Sequence, residues 1–126
     1  MANTETILYK ELSYKIMEVC FEVHNALGPG FPESLYENAV VKEFDLRKIP
    51  TERQRLIEVF YKGKKIGEYR LDLVVIEKII LELKAVADLN RLFEAQLYSY
   101  LKAAGLRLGI LVNFGSKKVE YKRILC

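Results

Sequence analysis

The stretch 69-YRLDLVVIEKIILELKAV-86 sets two apolar runs on either side of the turn signal Glu77-Lys78, and each run carries an acid. Side chains alternate across a strand. In the second run Glu82 and Lys84 therefore share a face with Ile80, while Ile79, Leu81 and Leu83 share the other. In the first run Asp72 stands alone among Leu71, Leu73 and Val74. A buried, unpaired carboxylate is costly and normally acquires a proton, a partner or a metal. Loop parity decides whether the two acids meet. A two-residue turn at Glu77-Lys78 would pair Asp72 with Leu83 and send the acids to opposite faces, whereas a three-residue loop over 76–78 pairs Asp72 with Glu82.

Two carboxylates beside a lysine suit a Mg²⁺ site for phosphodiester hydrolysis. Mg²⁺ takes hard oxygen ligands and keeps several waters. It polarises a phosphoryl oxygen and acidifies a bound water, which a lysine can orient. The spacing Glu82-x-Lys84 equally fits a solvated ion pair on an exposed sheet face, and Glu120-Tyr121-Lys122 repeats it in a polar strand where it carries no such chemistry. Asp72, one strand earlier, tips the reading toward the metal.

Outward from the hairpin, Leu8, Leu12, Ile16, Val19, Val23 and Leu27 recur at helical steps, predicting a helix over 6–27 that stops at Gly28-Pro29-Gly30. A second helix is expected from Pro32 to about residue 48. From Thr51 the texture turns β-rich, with RQRLIEVFY and KKIGEYRLDLVVI around Lys62-Gly63. Asn90 is the expected N-cap of a third helix through Ala104, closed by Gly105. Two strands, RLGILVNF and KKVEYKRIL, follow around Gly115-Ser116. The order α-α-β-β-β-α-β-β predicts an α/β domain, a mixed sheet with helices packed on it, spanning 1–126 as one unit.

On the third helix Gln96 and Tyr100 are four apart and share a face, from which they can reach back toward a metal and a phosphate or simply form polar tips of a half-buried helix. Glu33, Tyr36 and Glu37 lie on one side of the second helix, and Glu33 also suits its dipole as a first-turn acid. His24 reads as a hydrogen-bonded helix-end residue. Lys62, Lys64, Lys65, Arg70, Lys117, Lys118, Lys122 and Arg123 cluster on strand ends, as a solvated rim or a phosphate-backbone patch.

The composition, 51% hydrophobic and 29% charged over 126 residues, is that of an ordinary globular domain, and the +3 net charge is too small to be a nucleic-acid footprint by itself. No apolar run is long enough for a membrane span and the N-terminus lacks a signal-peptide pattern, so a cytoplasmic location is expected. Cys20 and Cys126 form no disulfide scaffold, and with His24 alone they fall short of a zinc or iron–sulfur ligand set.

Gly30-Phe31-Pro32-Glu33-Ser34-Leu35-Tyr36 matches a G-x-x-E-x-x-Y signature. With EVHNALGPGF, YRLDLVV, ILELKAV, EAQLYSYLK and GILVNF, the chain resembles the GxxExxY proteins of the PD-(D/E)XK nuclease superfamily nearly end to end. The resemblance implies a restriction-endonuclease-like αβββαβ core with an extra N-terminal helix and a C-terminal strand. It implies that Asp72, Glu82 and the backbone carbonyl of Leu83 hold Mg²⁺, with Mn²⁺ as a substitute, and that Lys84 positions the attacking water. Gln96 and Tyr100 resemble the Q-x-x-x-Y motif of the RecB-like branch and would orient water or phosphate. Glu33 would complete the site or serve a second metal, with Glu37 as its rival. Leu71 stands where the superfamily motif has proline, and the four-cysteine cluster of some RecB-like nucleases is missing, so no iron–sulfur cluster is implied. The implied partner is nucleic acid, DNA ahead of RNA, with no membrane; a homodimer through sheet or helix contacts is compatible with the polar C-terminal edge strand. The rival expectation is a catalytically silent module that keeps the fold for binding or assembly.

Overall fold

A computed structural model describes residues 8–126. Helix α1, Lys10–Leu27, buries Ile16, Val19, Cys20 and Val23, the three- and four-residue steps of the sequence pattern. It begins later than its periodicity suggests. Tyr9 is in the left-handed region (φ 51°), so Leu8 and Tyr9 precede the helix, and positions 6 and 7 lie outside the described residues. Helix α2, Glu33–Leu46, follows the extended Pro32. It ends short of residue 48, because Lys48 turns to φ 59° and Ile49 N–H returns to the Phe44 carbonyl at 2.9 Å.

Strands β1 (Thr51–Tyr61), β2 (Lys64–Val75) and β3 (Ile79–Lys84) form an antiparallel run. Helix α3, Arg91–Ala104, then crosses to β4 (Leu108–Asn113), which pairs parallel to β3, and β5 (Glu120–Leu125) closes antiparallel on β4. The sheet order is β1-β2-β3-β4-β5. Both ends of α3 are fixed locally: Asn90 Oδ1 accepts from the Leu92 and Phe93 amides at 2.9 and 3.3 Å, and Gly105 takes the left-handed turn at φ 70° that a side chain disfavours.

Each face of the sheet is covered. Leu73, Val75, Ile79, Leu81 and Leu83 join β4 residues under α1 and α2. Ile57, Leu71, Val74, Ile80 and Leu111 pack under Leu97 and Leu101 of α3. With helices on both sides, β3 and β4 are buried along nearly their whole length, which accounts for their continuous apolar runs.

The segment leaving β3 is clamped from the end of β4 and the loop after it. Asn113, fully buried, accepts from the Val86 and Gly115 amides and donates to the Val86 carbonyl and to Glu120, all at 2.9–3.0 Å. Gly115 lies so close that a Cβ there would meet the backbone nitrogen and oxygen of Val86 and come within 2.7 Å of the Ala85 carbonyl carbon. Backbone cannot yield as a side-chain tip can. Gly115→Ala is therefore expected to destabilise the fold by about 2 kcal/mol or more, read as a lower midpoint in urea unfolding.

Candidate active site

The β2–β3 loop has the odd length that the acids require. Register runs Val75↔Ile79, Val74↔Ile80 and Leu73↔Leu81, and its next step sets Asp72 opposite Glu82. At that step side chains take over from the backbone ladder. The Asp72 amide donates to Glu82 Oε1 at 3.1 Å, and the Leu83 amide donates to Asp72 Oδ2 at 3.0 Å. Each carboxylate thus satisfies the opposite strand, and the two are held together where β2 and β3 part.

An irregularity aims Asp72 into this gap. Leu71 packs on the α3 side while Leu73 packs on the α1–α2 side, so simple alternation breaks at Asp72. Across from it Gln54 is in the left-handed region (φ 50°) and drops out of the β1–β2 ladder between Arg53↔Leu73 and Arg55↔Leu71. Such irregularities re-aim side chains, often beside functional sites.

Glu82 is 3% exposed, which excludes a solvated pair on an open sheet face. Burial raises its carboxyl first, and the neighbouring Asp72 charge raises it further, to about 8; the Asp72 amide and Lys84 oppose this. Asp72 is raised too, by burial above all and by Glu37, against the Leu83 amide and the Lys84 charge. The pair retains a proton above the usual carboxylate range because two desolvated like charges are only partly offset. Lys84, half-buried at the end of β3, places its Nζ 4.6 Å from the centre of the Phe93 ring on α3, an attractive cation–π contact.

Helix α2 brings two further acids to the rim, and they differ. Glu37 is held from β1: Arg53 Nη2 donates to it at 2.9 Å and Gln54 Nε2 at 2.9 Å. Glu33, exposed at the first turn, forms no ion pair among the described residues. Partial desolvation and then the Asp72 charge raise its carboxyl, while Lys84 lowers it, so Glu33 senses the same site. The Tyr36 hydroxyl anchors the turn before Glu33. It accepts from the Phe31 amide at 3.1 Å and donates to the Gly28 carbonyl, while its ring stacks on Phe114 with centroids 4.7 Å apart. Tyr36 is thus a structural lock on the loop that presents Glu33.

On α3, Gln96 is half-buried and Tyr100 follows one turn later; only Tyr100 is tied to the acids, through Tyr69. Tyr100 stacks on Tyr69 with ring centroids 4.0 Å apart and 18° between the planes. Burial, the Tyr100 hydrogen bond and the Glu82 charge all raise the Tyr69 hydroxyl, which keeps its proton. Tyr69 is a site neighbour that the sequence reading missed; strict alternation sets a residue three before Asp72 on the opposite face, so the spacing gave no signal for it.

Other candidates fall elsewhere. His24 Nε2 contacts the Ser116 carbonyl at 3.0 Å, tying the end of α1 to the β4–β5 loop. Glu120 accepts from Asn113 and Ser116 and so is a buttress, not a second Glu-x-Lys site. Cys20 is fully buried, which pushes its thiol up to about 12 and leaves it unreactive. A cavity of about 490 Å³ between α1 and β4–β5, lined by Ser13, Met17, Phe21, Ile110, Tyr121 and Arg123, includes none of the site's acids.

Among the described residues, no cluster of three or more His, Cys, Asp or Glu side chains is close enough to hold a metal through side chains alone. What the fold brings together is a buried and a half-buried carboxyl group beside Lys84, and once the shared proton leaves they carry more negative charge than Lys84 offsets. Hard oxygen donors with an excess of negative charge fit a divalent cation that retains waters.

The fold and this motif define a class, and comparison with known proteins agrees. A family model described as the PD-(D/E)XK nuclease superfamily matches residues 10–124, and the chain belongs to that superfamily. The mixed five-strand sheet with its three helices is consistent with the restriction-endonuclease-like fold of that class. Among solved structures, the crystal structure of SSO0001 is similar with a TM-score of 0.58 at 18% identity, over 73% of this chain and 48% of the other, a likeness of fold. This chain spans about half the length of that protein. A comparison with curated proteins gives no match. Among the described residues, no helix is long and apolar enough to cross a membrane.

Proposed function

We propose that the chain is a metal-dependent nuclease, a single catalytic domain of the GxxExxY group in the RecB-like branch, acting in the cytoplasm on nucleic acid, DNA ahead of RNA. The observation that carries this reading is the Asp72–Glu82 pair, with Glu82 buried and Asp72 half-buried, cross-braced to opposite strands and flanked by Lys84. Asp72, Glu82 and the Leu83 carbonyl would hold Mg²⁺, for which Mn²⁺ substitutes, and Glu33 rather than the salt-bridged Glu37 would complete the site. When bound, the cation would polarise a phosphoryl oxygen and acidify a coordinated water.

The remaining roles belong to the protein. Lys84 holds the attacking water in line and offsets charge that grows on the phosphoryl oxygens. Gln96 and Tyr100 orient that water or the adjacent phosphate, with Tyr100 fixed by its stack on Tyr69. Burial of Glu82 keeps bulk water from screening these charges.

Incubation of duplex DNA with the protein and Mg²⁺ or Mn²⁺ tests the reading. Cleavage is expected with either ion, none in EDTA, and none for Asp72→Asn. Cleavage that survives Asp72→Asn would place the activity elsewhere, and metal binding without cleavage of any nucleic acid would indicate a silent module.

A further inference from the structure

The chain's positive charge is gathered on one projecting arm. β1 and β2 pair with each other out to Tyr61↔Lys64, but β3 pairs only with Leu73–Val75 of β2. The outer hairpin therefore leaves the sheet as a two-stranded ribbon, with α3 covering only its root at Ile57 and Tyr69. Residues 55–70, RLIEVFYKGKKIGEYR, carry five cationic side chains against Glu58 and Glu68. That local +3 equals the net charge of the whole chain, so the rest of the protein is formally balanced.

The tip is unusual in a second way. Phe60, Tyr61 and Ile66 are 60%, 61% and 63% exposed. Lys65 is occupied by Glu58 and Glu68 at 3.4 and 3.0 Å, but Lys62 and Lys64 make no ion pair among the described residues. Lys62 instead lies 5.5 Å from the centre of the Tyr61 ring. A two-stranded ribbon is marginally stable alone in water, and unpaired lysines beside exposed aromatics suit a polyanion with apolar faces. Lysine is depleted from protein–protein interfaces and abundant where phosphates are neutralised.

We propose that this ribbon is a duplex-DNA-binding arm, lying along the DNA that flanks the cleavage point, with Lys62 and Lys64 on phosphates and Phe60 and Tyr61 against sugars and base edges. The inference rests on the nucleic-acid reading of the Asp72–Glu82 site. A two-stranded ribbon fits the major groove of B-form DNA, whereas the deep, narrow major groove of A-form RNA does not admit one. At roughly 3.3 Å per residue, Lys64 lies about 26 Å along β2 from Asp72, or about eight base pairs at 3.4 Å each.

Fluorescence anisotropy with a 24-base-pair duplex in EDTA, where no cleavage occurs, tests the arm. The double variant Lys62→Gln/Lys64→Gln is expected to bind at least tenfold more weakly at low salt, with a log–log salt slope smaller by about 2 and an unchanged thermal midpoint. Phe60→Ser is expected to weaken binding without changing that slope. Wild-type affinity and slope in the lysine variant, or a preference for duplex RNA of equal length, would overturn the proposal. The two readings separate cleanly. Lysine-dependent DNA binding without cleavage in Mg²⁺ or Mn²⁺ would keep the arm and end the nuclease reading; metal-dependent cleavage with unaltered binding by the lysine variant would do the reverse.

Discussion

Lys84→Ala is expected to cut the cleavage rate by about 10²- to 10³-fold, the usual cost of removing one preorganised charge from a developing anion, while metal binding survives. The two effects separate because Lys84 acts on the carboxylates only through its charge, which lowers both Asp72 and Glu82. Without it the acids hold their protons to higher pH. The residual activity of the variant should therefore rise at a higher pH than that of the wild type. Loss of the cation–π contact with Phe93 costs the fold about 1 kcal/mol or less, too little to explain such a rate loss by unfolding. Glu82→Ala should differ by losing Mn²⁺ binding as well as cleavage. Single-turnover rates across pH, with Mn²⁺ binding measured calorimetrically, check both variants against the wild type; a Lys84→Ala enzyme of wild-type rate would remove the lysine from the reaction.

The second large effect concerns pH. Glu82 has an ordinary carboxylate value near 4.5 in the unfolded chain and about 8 in the folded, metal-free protein. Between those values the folded state holds the proton more often than the unfolded state. Stability of the metal-free protein must then fall as pH rises through that window, and the full cost is present above pH 8. Glu82→Gln removes the titration. Without metal the variant should nearly match the wild type at pH 5 and exceed it by a few kcal/mol at pH 8.5, an order of magnitude set by the shift. Divalent cations compete with that same proton, so the stabilisation of wild type by Mg²⁺ should be larger at pH 8 than at pH 6. Thermal melts at both pH values, with EDTA and with Mg²⁺, report both trends. Identical pH dependence in wild type and Glu82→Gln would show that Glu82 does not titrate as its burial requires.

Much of this architecture is legible from sequence because it is locally encoded. Asn90 and Gly105 mark the ends of α3 through bonds and a dihedral angle that each residue sets within a few positions. The Asp72–Glu82 pairing was legible as a condition on loop parity, which the three-residue loop 76–78 meets; the break in alternation that turns Asp72 toward Glu82 was not. What escaped depends on partners far along the chain. Glu33 and Glu37 look equivalent until Arg53 and Gln54, on another element, occupy one of them. Tyr69 gains its place through a stack on Tyr100 across the crossing of α3 over the sheet. Asn113 ends an apolar strand as an ordinary amide, and only the neighbouring backbone of Val86 shows all its polar atoms in use. Tyr9 starts α1 later than the apolar period suggests, because periodicity records which face is buried and not where a backbone angle changes sign.

The central claim is that Asp72 and Glu82 form one metal-binding centre. Anomalous diffraction at the manganese edge from crystals soaked in Mn²⁺ tests it most directly. A peak within coordination distance of both carboxylates, lost in Glu82→Ala crystals of the same form, is the expected result. Full Mn²⁺ saturation with no peak at these two residues would contradict it.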